Sequence, residues 1–240
     1  MLAQLRSSFV EMPPCQERDQ LASLLEAAVQ YRFASDVVLG VEQTVDRVPW
    51  TVEHNLDRLA RPTEPLWFEF EMPDGQEKAA LIFGDVERLY ILPVWRRDEI
   101  VYHSRALLTF SFAATEKLGQ VSRQYLSRDR AEALERMMMI VAAYVPKGFH
   151  GELASISLRK DFAGTVDDMI LLSKRDASAE AIFLLANLLI LETDRVSVVE
   201  GADGIRRVTM TAAAPRRTWL RRARAGFDVD NSSLTWHGLR

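Results

Sequence analysis

The chain has 240 residues, of which 48% are hydrophobic and 27% are charged, and its formal net charge is −4 at neutral pH. This composition is ordinary for a globular domain and excludes a disordered or fibrous chain, while the overall acidity argues against a protein that coats nucleic acid over its whole surface. The one cysteine, Cys15, excludes an intramolecular disulfide and fits a reducing cytoplasm.

No segment of the sequence resembles a targeting or membrane signal. The first twelve residues lack a continuous apolar region, so we expect no signal peptide. The most apolar stretch, residues 176–192, is interrupted by Glu180 and Asn187. It is also too short for a membrane span, which needs about 20 apolar residues. We therefore expect a cytoplasmic protein without a membrane partner.

The N-terminal part predicts an amphipathic helix after Pro13 and Pro14. Its apolar positions recur at helical spacing and are Leu21, Leu24, Leu25, Ala28 and Val29. Residues 34–50 are ambiguous, and the valines of residues 37–41 fit a strand. Thr51 is a possible cap of a short helix that runs to Leu59, before the following prolines end it.

Residues 65–113 predict a β-meander. Apolar residues alternate with others along residues 66–71, which is the period of a strand. Pro73 and Gly75 predict a turn, with a return strand at residues 79–83. Further strands are expected at residues 89–94 and 107–112, with a polar link at residues 95–99. The many aromatic residues predict packing between sheet and helices, and the alternative is a surface on which bases stack beside arginines.

Two helices are predicted in the second half of the chain. Asp129 to Glu132 resembles a capping box and opens a helix to about Tyr144. Asp176 can cap a mostly buried helix over residues 177–191, in which the Asn187 amide is expected to bond to nearby backbone. Residues 153–158 and 165–172 fit a short strand and a short helix.

A hairpin is predicted near the end of the chain, at residues 196–199 and 205–211 around the loop Gly201–Gly204. The order of elements predicts an α+β fold, with an antiparallel β-meander packed against helices and a C-terminal hairpin. We expect one domain over residues 1–240, with a possible subdivision into a sheet-rich part, 1–115, and a helical part, 116–240. No βαβ alternation supports a Rossmann fold or a barrel.

No catalytic, metal or cofactor motif is present in the sequence. His54, His103, His150 and His237 stand far apart, without the spacing of metal ligands. There is no phosphate loop and no Gly-x-Ser-x-Gly elbow. We therefore predict no cofactor, metal or catalytic residue. A hydrolase or transferase with a site near His150 or His103 is kept as an alternative, because catalytic groups can come from distant positions.

The densest positive charge lies close to the C-terminus. Residues 205–240 hold eight arginines and two aspartates, a local charge of +6, so the rest of the chain carries −10. The candidate binding residues are Arg216, Arg217, Arg221, Arg222 and Arg224. We expect a non-catalytic accessory protein that binds nucleic acid or an acidic protein through them, because guanidinium groups pair with phosphate and carboxylate. The alternative is a structural or oligomer-forming protein in which they pair with carboxylates of the same chain or of a neighbouring copy.

The C-terminal segment also carries a resemblance. The residues Pro215–Gly226 and the closing residues Ser233–Arg240 resemble the tails of uncharacterised bacteriophage- and prophage-encoded proteins. Those tails have an arginine- or lysine-rich "ARxxRG" segment, an aromatic residue and an "HxLR"-like ending. Gly226 here follows an alanine where that pattern has an arginine, and His237–Arg240 keeps the ending. The resemblance covers about the last sixty residues and implies a phage or mobile-element context, without implying an activity.

Overall fold

The computed structural model describes residues 1–11, 16–97, 99–104, 107–125, 129–144 and 180–211. The helices are α1 (Leu2–Glu11), α2 (Gln16–Ala27), α3 (Ser35–Arg47), α4 (Trp50–Glu53), α5 (Phe112–Tyr125), α6 (Arg130–Met138) and α7, described over 180–191, with a 3₁₀ turn at Leu56–Arg58. The strands are β1 (Val29–Phe33), β2 (Leu66–Glu71), β3 (Glu77–Gly84), β4 (Arg88–Arg97), β5 (Ile100–His103), β6 (Leu107–Ser111), β7 (Ala142–Tyr144), β8 (Val196–Glu200) and β9 (Arg206–Met210).

The strands form one mixed sheet in the order β7-β6-β4-β3-β2-β1-β9-β8, and β5 pairs with the far half of β4. Every pairing is antiparallel except those of β1, which runs parallel to both β2 and β9. The predicted α+β class is confirmed, as are the meander and the C-terminal hairpin. Strands from both sides of residue 115 enter this sheet.

The prediction for residues 34–50 was wrong where it allowed a strand. Val37, Val38 and Val41 lie in α3 and are fully buried. Their spacing of one and three residues places them on one side of a helix. The strand was allowed because valine is β-branched and favours strands. Helices α3 and α4 fill the connection between the parallel strands β1 and β2, so the fold contains one βαβ crossover although the sequence indicated no such alternation.

The sheet separates two hydrophobic cores. On one face, α1 and α2 cover Trp67, Leu81 and neighbouring residues. On the other face, α3 to α7 cover a larger core that includes Phe68 and Ile82. Trp67 and Phe68 are fully buried on opposite faces of the same strand. Packing between sheet and helices, the favoured explanation of the aromatic residues, is therefore confirmed for these two.

Several element ends differ from the prediction. The Asp129 side chain caps α6, as expected, by accepting from the Ala131 amide at 2.8 Å. The helix ends at Met138 instead of continuing to Tyr144, because Ala142–Tyr144 pairs with β6 as a strand. In the same way, the polar link expected after Val94 is the continuation of β4, which pairs with β5.

Three further predictions concern residues in or next to helices. The amphipathic helix ends at Ala27, and Val29 already belongs to β1. Thr51 lies inside α4, which begins at Trp50, so it is not a cap. The Asn187 amide, buried in α7, donates to the Phe183 carbonyl at 2.8 Å as expected. The strand and the helix expected at 153–158 and 165–172 lie outside the described residues. Within the described residues, no helix is long and apolar enough to cross a membrane.

The close approach of α5 to the 3₁₀ turn gives a first prediction. A Cβ atom on Gly119 would lie 2.7 Å from the Asp57 backbone nitrogen, whereas one on Gly40 in α3 meets nothing within 4 Å. We expect Gly119→Ala to destabilise the protein by about 1–3 kcal/mol through overpacking. Gly40→Ala should stabilise it by about 0.5–1 kcal/mol, since alanine loses less backbone entropy in a helix. Urea unfolding of both variants measures the difference, and equal effects would contradict this packing.

Candidate functional site

The five arginines predicted to bind a partner, Arg216, Arg217, Arg221, Arg222 and Arg224, lie outside the described residues, as do His150 and His237. Two other arginines of the basic region are described, both in β9. Arg206 donates to the Tyr31 hydroxyl at 2.9 Å and pairs with Glu200 at 3.4 Å. Arg207 pairs with Asp203 at 2.6 Å and lowers the pKa of that carboxyl to about 2. These two guanidinium groups are engaged by carboxylates of their own chain.

A row of side chains crosses seven strands on the face of the sheet that α3 covers. Its members, in register, are Val198, Val208, Phe33, Phe70, Lys78, Trp95 and Tyr102. The middle of the row is core, where Phe33 and Phe70 pack with ring centroids 5.2 Å apart and Phe183 of α7 covers Phe70. The β4–β5 end differs, since Trp95 and Tyr102 are each 41% exposed.

We call Trp95, Ile100 and Tyr102 the aromatic corner. The two rings stack with centroids 6.3 Å apart and planes 14° apart. Ile100 lies two residues before Tyr102, hence on the same face of β5, and is 55% exposed. Three large apolar side chains are therefore adjacent and open on one face of the hairpin within the described part of the chain.

The opposite face of the same hairpin is covered by α1. The Phe9 and His103 rings lie 5.4 Å apart, and Arg96 donates to the Gln4 side chain at 2.8 Å. His103 Nδ1 is 2.8 Å from the Ser104 carbonyl. The His103 ring is therefore packed where α1 meets β5.

The lysine beside the aromatic corner belongs to a group of interacting charges. Lys78, the register partner of Trp95, lies 3.6 Å from Glu180 and 5.8 Å from the centre of the Phe183 ring. Burial raises the pKa of Glu42, with further increases from neighbouring carboxylates and an opposing effect of Lys78. The carboxylates are those of Asp46, Asp74 and Glu180. In this group of interacting charges, four carboxylates, including Glu42 itself, therefore stand against one lysine.

A second polar cluster joins three helices on the same face of the sheet. Glu53 of α4 is fully buried and accepts from the Ser122 hydroxyl of α5 and from two nitrogens of Arg136 in α6, one of them at 3.1 Å. Arg136 also pairs with Glu132 at 3.0 Å and lies 4.9 Å from the centre of the Tyr125 ring. The carboxylate at the centre thus ties α5 and α6 to α4.

This cluster has the residue types of a catalytic site but the geometry of a structural clamp. Ser122 and Glu53 are both fully buried, and a nucleophile must reach its substrate. Both carboxylate oxygens of Glu53 already accept hydrogen bonds from Arg136, so the carboxylate is engaged within the protein. We interpret the cluster as the contact that positions α6.

Comparison of the chain with protein families, with curated proteins and with solved structures found no match. Across the described ranges, no group of three or more histidine, cysteine, aspartate or glutamate side chains could hold a metal ion. Sequence reasoning predicted neither the aromatic corner nor the clamp. The β-branched and aromatic residues of Ile100–His103 are a signal that could have indicated the strand β5.

Removal of the clamp carboxylate gives a second prediction. Glu53→Gln removes the fully buried carboxylate partner of Arg136 and leaves only the partly exposed one of Glu132, and we expect a loss of about 3 kcal/mol in unfolding free energy, the lower end for a broken buried pair. Glu116→Gln is the matched control, because the Arg61–Glu116 pair joins two half-exposed side chains. The control should cost less than about 1 kcal/mol. A similar loss in both variants, measured by chemical denaturation, would contradict the clamp.

A third prediction concerns His54, which follows Glu53 and is buried. Burial lowers the pKa of His54, with Arg136 and Arg123 adding to the decrease and Glu53 opposing it. The unfolded chain therefore takes up this proton first as the pH falls below about 6.5, so stability is full above that pH and decreases on acidification. We expect the fall in unfolding free energy between pH 7.5 and pH 5.5 to be smaller in His54→Gln than in the unchanged protein.

Salt provides the control for this titration. Because burial is the largest cause of the lowered pKa of His54, 0.5 M NaCl should leave most of the difference between the two proteins intact. Identical pH profiles, or a difference abolished by salt, would show that His54 is not held neutral by burial.

Proposed function

We propose that the chain is a non-catalytic accessory protein whose arginine-rich segment, residues 215–226, binds a polyanion, with nucleic acid as the first partner to test. The proposal keeps the phage or prophage context, in the host cytoplasm, that the resemblance implies. The observation that carries it is a contrast in charge. Residues 212–240 hold six arginines and two aspartates, a charge of +4, whereas residues 1–211 carry −8.

Arginines of the body support this contrast, because many of them have carboxylate partners nearby. Examples outside the clamp are Arg32–Glu69 at 3.0 Å, Arg96–Glu77 at 2.7 Å and Arg207–Asp203 at 2.6 Å. The segment at residues 215–226 contains five arginines and no carboxylate. Its guanidinium groups have no carboxylate partner within the segment, and phosphates fit their forked donors.

The alternative function is oligomer formation, in which the same arginines pair with carboxylates of a neighbouring copy. It is favoured by the charge of −8 on residues 1–211. Light scattering separates the two possibilities: the polyanion proposal expects the same mass for the unchanged protein and for an Arg221→Glu/Arg224→Glu variant. A hydrolase or transferase with a site near His103 or His150 is a second alternative, which a pocket joining either histidine to a carboxylate would support.

The fourth prediction tests polyanion binding. Fluorescence anisotropy of a labelled 20-nucleotide DNA, single-stranded and duplex, is measured between 50 and 300 mM salt. If five arginines each neutralise a phosphate, the slope of log Kobs against log salt concentration should be about −4.5 for duplex DNA. Affinity that does not change with salt would overturn the proposal.

Two triple variants localise the contact. Arg221→Ala/Arg222→Ala/Arg224→Ala should reduce the magnitude of the slope by about 2.7, since each lost phosphate contact removes about 0.9. The control, Arg18→Ala/Arg61→Ala/Arg207→Ala, changes the net charge equally but alters arginines that pair with Asp19, Glu116 and Asp203. An equal loss in the control would assign binding to overall charge instead of to the segment.

A further inference from the structure

The aromatic corner has the properties of a docking surface. Trp95 and Tyr102 stack in parallel, and each is 41% exposed, with Ile100 beside them at 55%. Large aromatic side chains dominate the binding energy of protein contacts, and adjacent exposed apolar groups mark such contacts. Parallel rings also present flat faces, on which a guanidinium group stacks favourably.

The charge around the corner selects a cationic occupant. Trp95 is the register partner of Lys78, which Glu180 already engages at 3.6 Å. Glu42 is close enough to that lysine, and to Asp74 and Glu180, for their charges to interact. Phosphates would be repelled from this surface, whereas arginines would gain both ring and carboxylate contacts.

The fold already uses this combination of ring, arginine and carboxylate elsewhere. Arg136 lies 4.9 Å from the Tyr125 ring centre while it pairs with Glu132. Arg206 lies 5.5 Å from the Tyr31 ring centre while it pairs with Glu200. Each contact combines a cation–π interaction with an ion pair, which together exceed a surface salt bridge alone.

The arginine-rich segment can reach the corner of its own chain. Val208 of β9 belongs to the same row as Trp95, and β9 runs toward Met210 at that end of the sheet. Four strand spacings separate β9 from β4, or about 19 Å. Arg221 follows Thr211 by ten positions, and an extended chain of that length spans up to about 33–36 Å.

We infer that residues 215–226 dock on the aromatic corner of the same chain, with arginines on the rings of Trp95 and Tyr102 and beside the carboxylates around Lys78. A polyanion then competes with this surface for the arginines. Docking of the segment does not depend on the proposed function, whereas the competition rests on the proposed binding of a polyanion. The corner thereby sets how much of the segment is available to a partner.

Disulfide trapping tests docking in the full chain. The tested protein carries Cys15→Ser, Ile100→Cys and Ala223→Cys, which keeps both rings and all five arginines. The matched control carries Val86→Cys in place of Ile100→Cys, because Val86 is 78% exposed in the β3–β4 turn at the other end of the sheet. We expect intramolecular cross-linking to be about tenfold faster in the tested protein, since docking raises the local concentration of the two thiols.

Further arms separate docking from its alternatives. Adding Trp95→Ala and Tyr102→Ala to the tested protein should return cross-linking to the control rate, with circular dichroism verifying that the variant is folded. Equal rates at Ile100 and Val86 would overturn docking, and cross-linked dimers would overturn docking within one chain. A 20-nucleotide DNA should slow the cross-link at 50 mM salt. An unchanged cross-linking rate while anisotropy reports bound DNA would overturn the competition and leave the polyanion proposal intact.

Discussion

The pairing of β1 with β2 on one side and β9 on the other holds the sheet together. The meander from β2 to β6 and the hairpin of β8 and β9 come from distant parts of the sequence, and β1 is the strand between them. Phe33 occupies the centre of this junction, fully buried, with Phe70 on one neighbouring strand and Val208 on the other. Without this strand, the hairpin would lose its hydrogen bonds to the rest of the sheet.

The parts of the fold that follow local rules could be predicted from the sequence. The alternation at residues 66–71 and the turn ending at Gly75, whose φ is 78°, specify the first hairpin of the meander. The strand β1 was missed although Val29–Phe33 alternates apolar and polar residues, because Ala28 and Val29 also fit the helical spacing of the preceding segment. The strand is positioned by pairing on both edges. Val37, Val38 and Val41 favour strands intrinsically, yet tertiary packing makes them helical.

The polar contacts were harder to predict than the elements that carry them. Glu53 and Arg136 are 83 residues apart and meet only because α6 crosses α4. Exposure of Trp95 and Tyr102 likewise depends on where the helices end over the sheet, which no local pattern encodes. The charge of the C-terminal region, by contrast, is a property of composition and could be recognised directly.

The pairing of arginines within the body explains how the arginine-rich segment would be controlled. Arg206 and Arg207 belong to the same basic region by sequence, and each has a carboxylate within its own hairpin. The five arginines that follow lack such neighbours in their own segment. In the docking that we propose, the carboxylates of the acidic body and the anions of a partner compete for the same guanidinium groups. On that proposal, partner affinity would depend on body contacts that the partner never touches, because each such contact would be broken before binding.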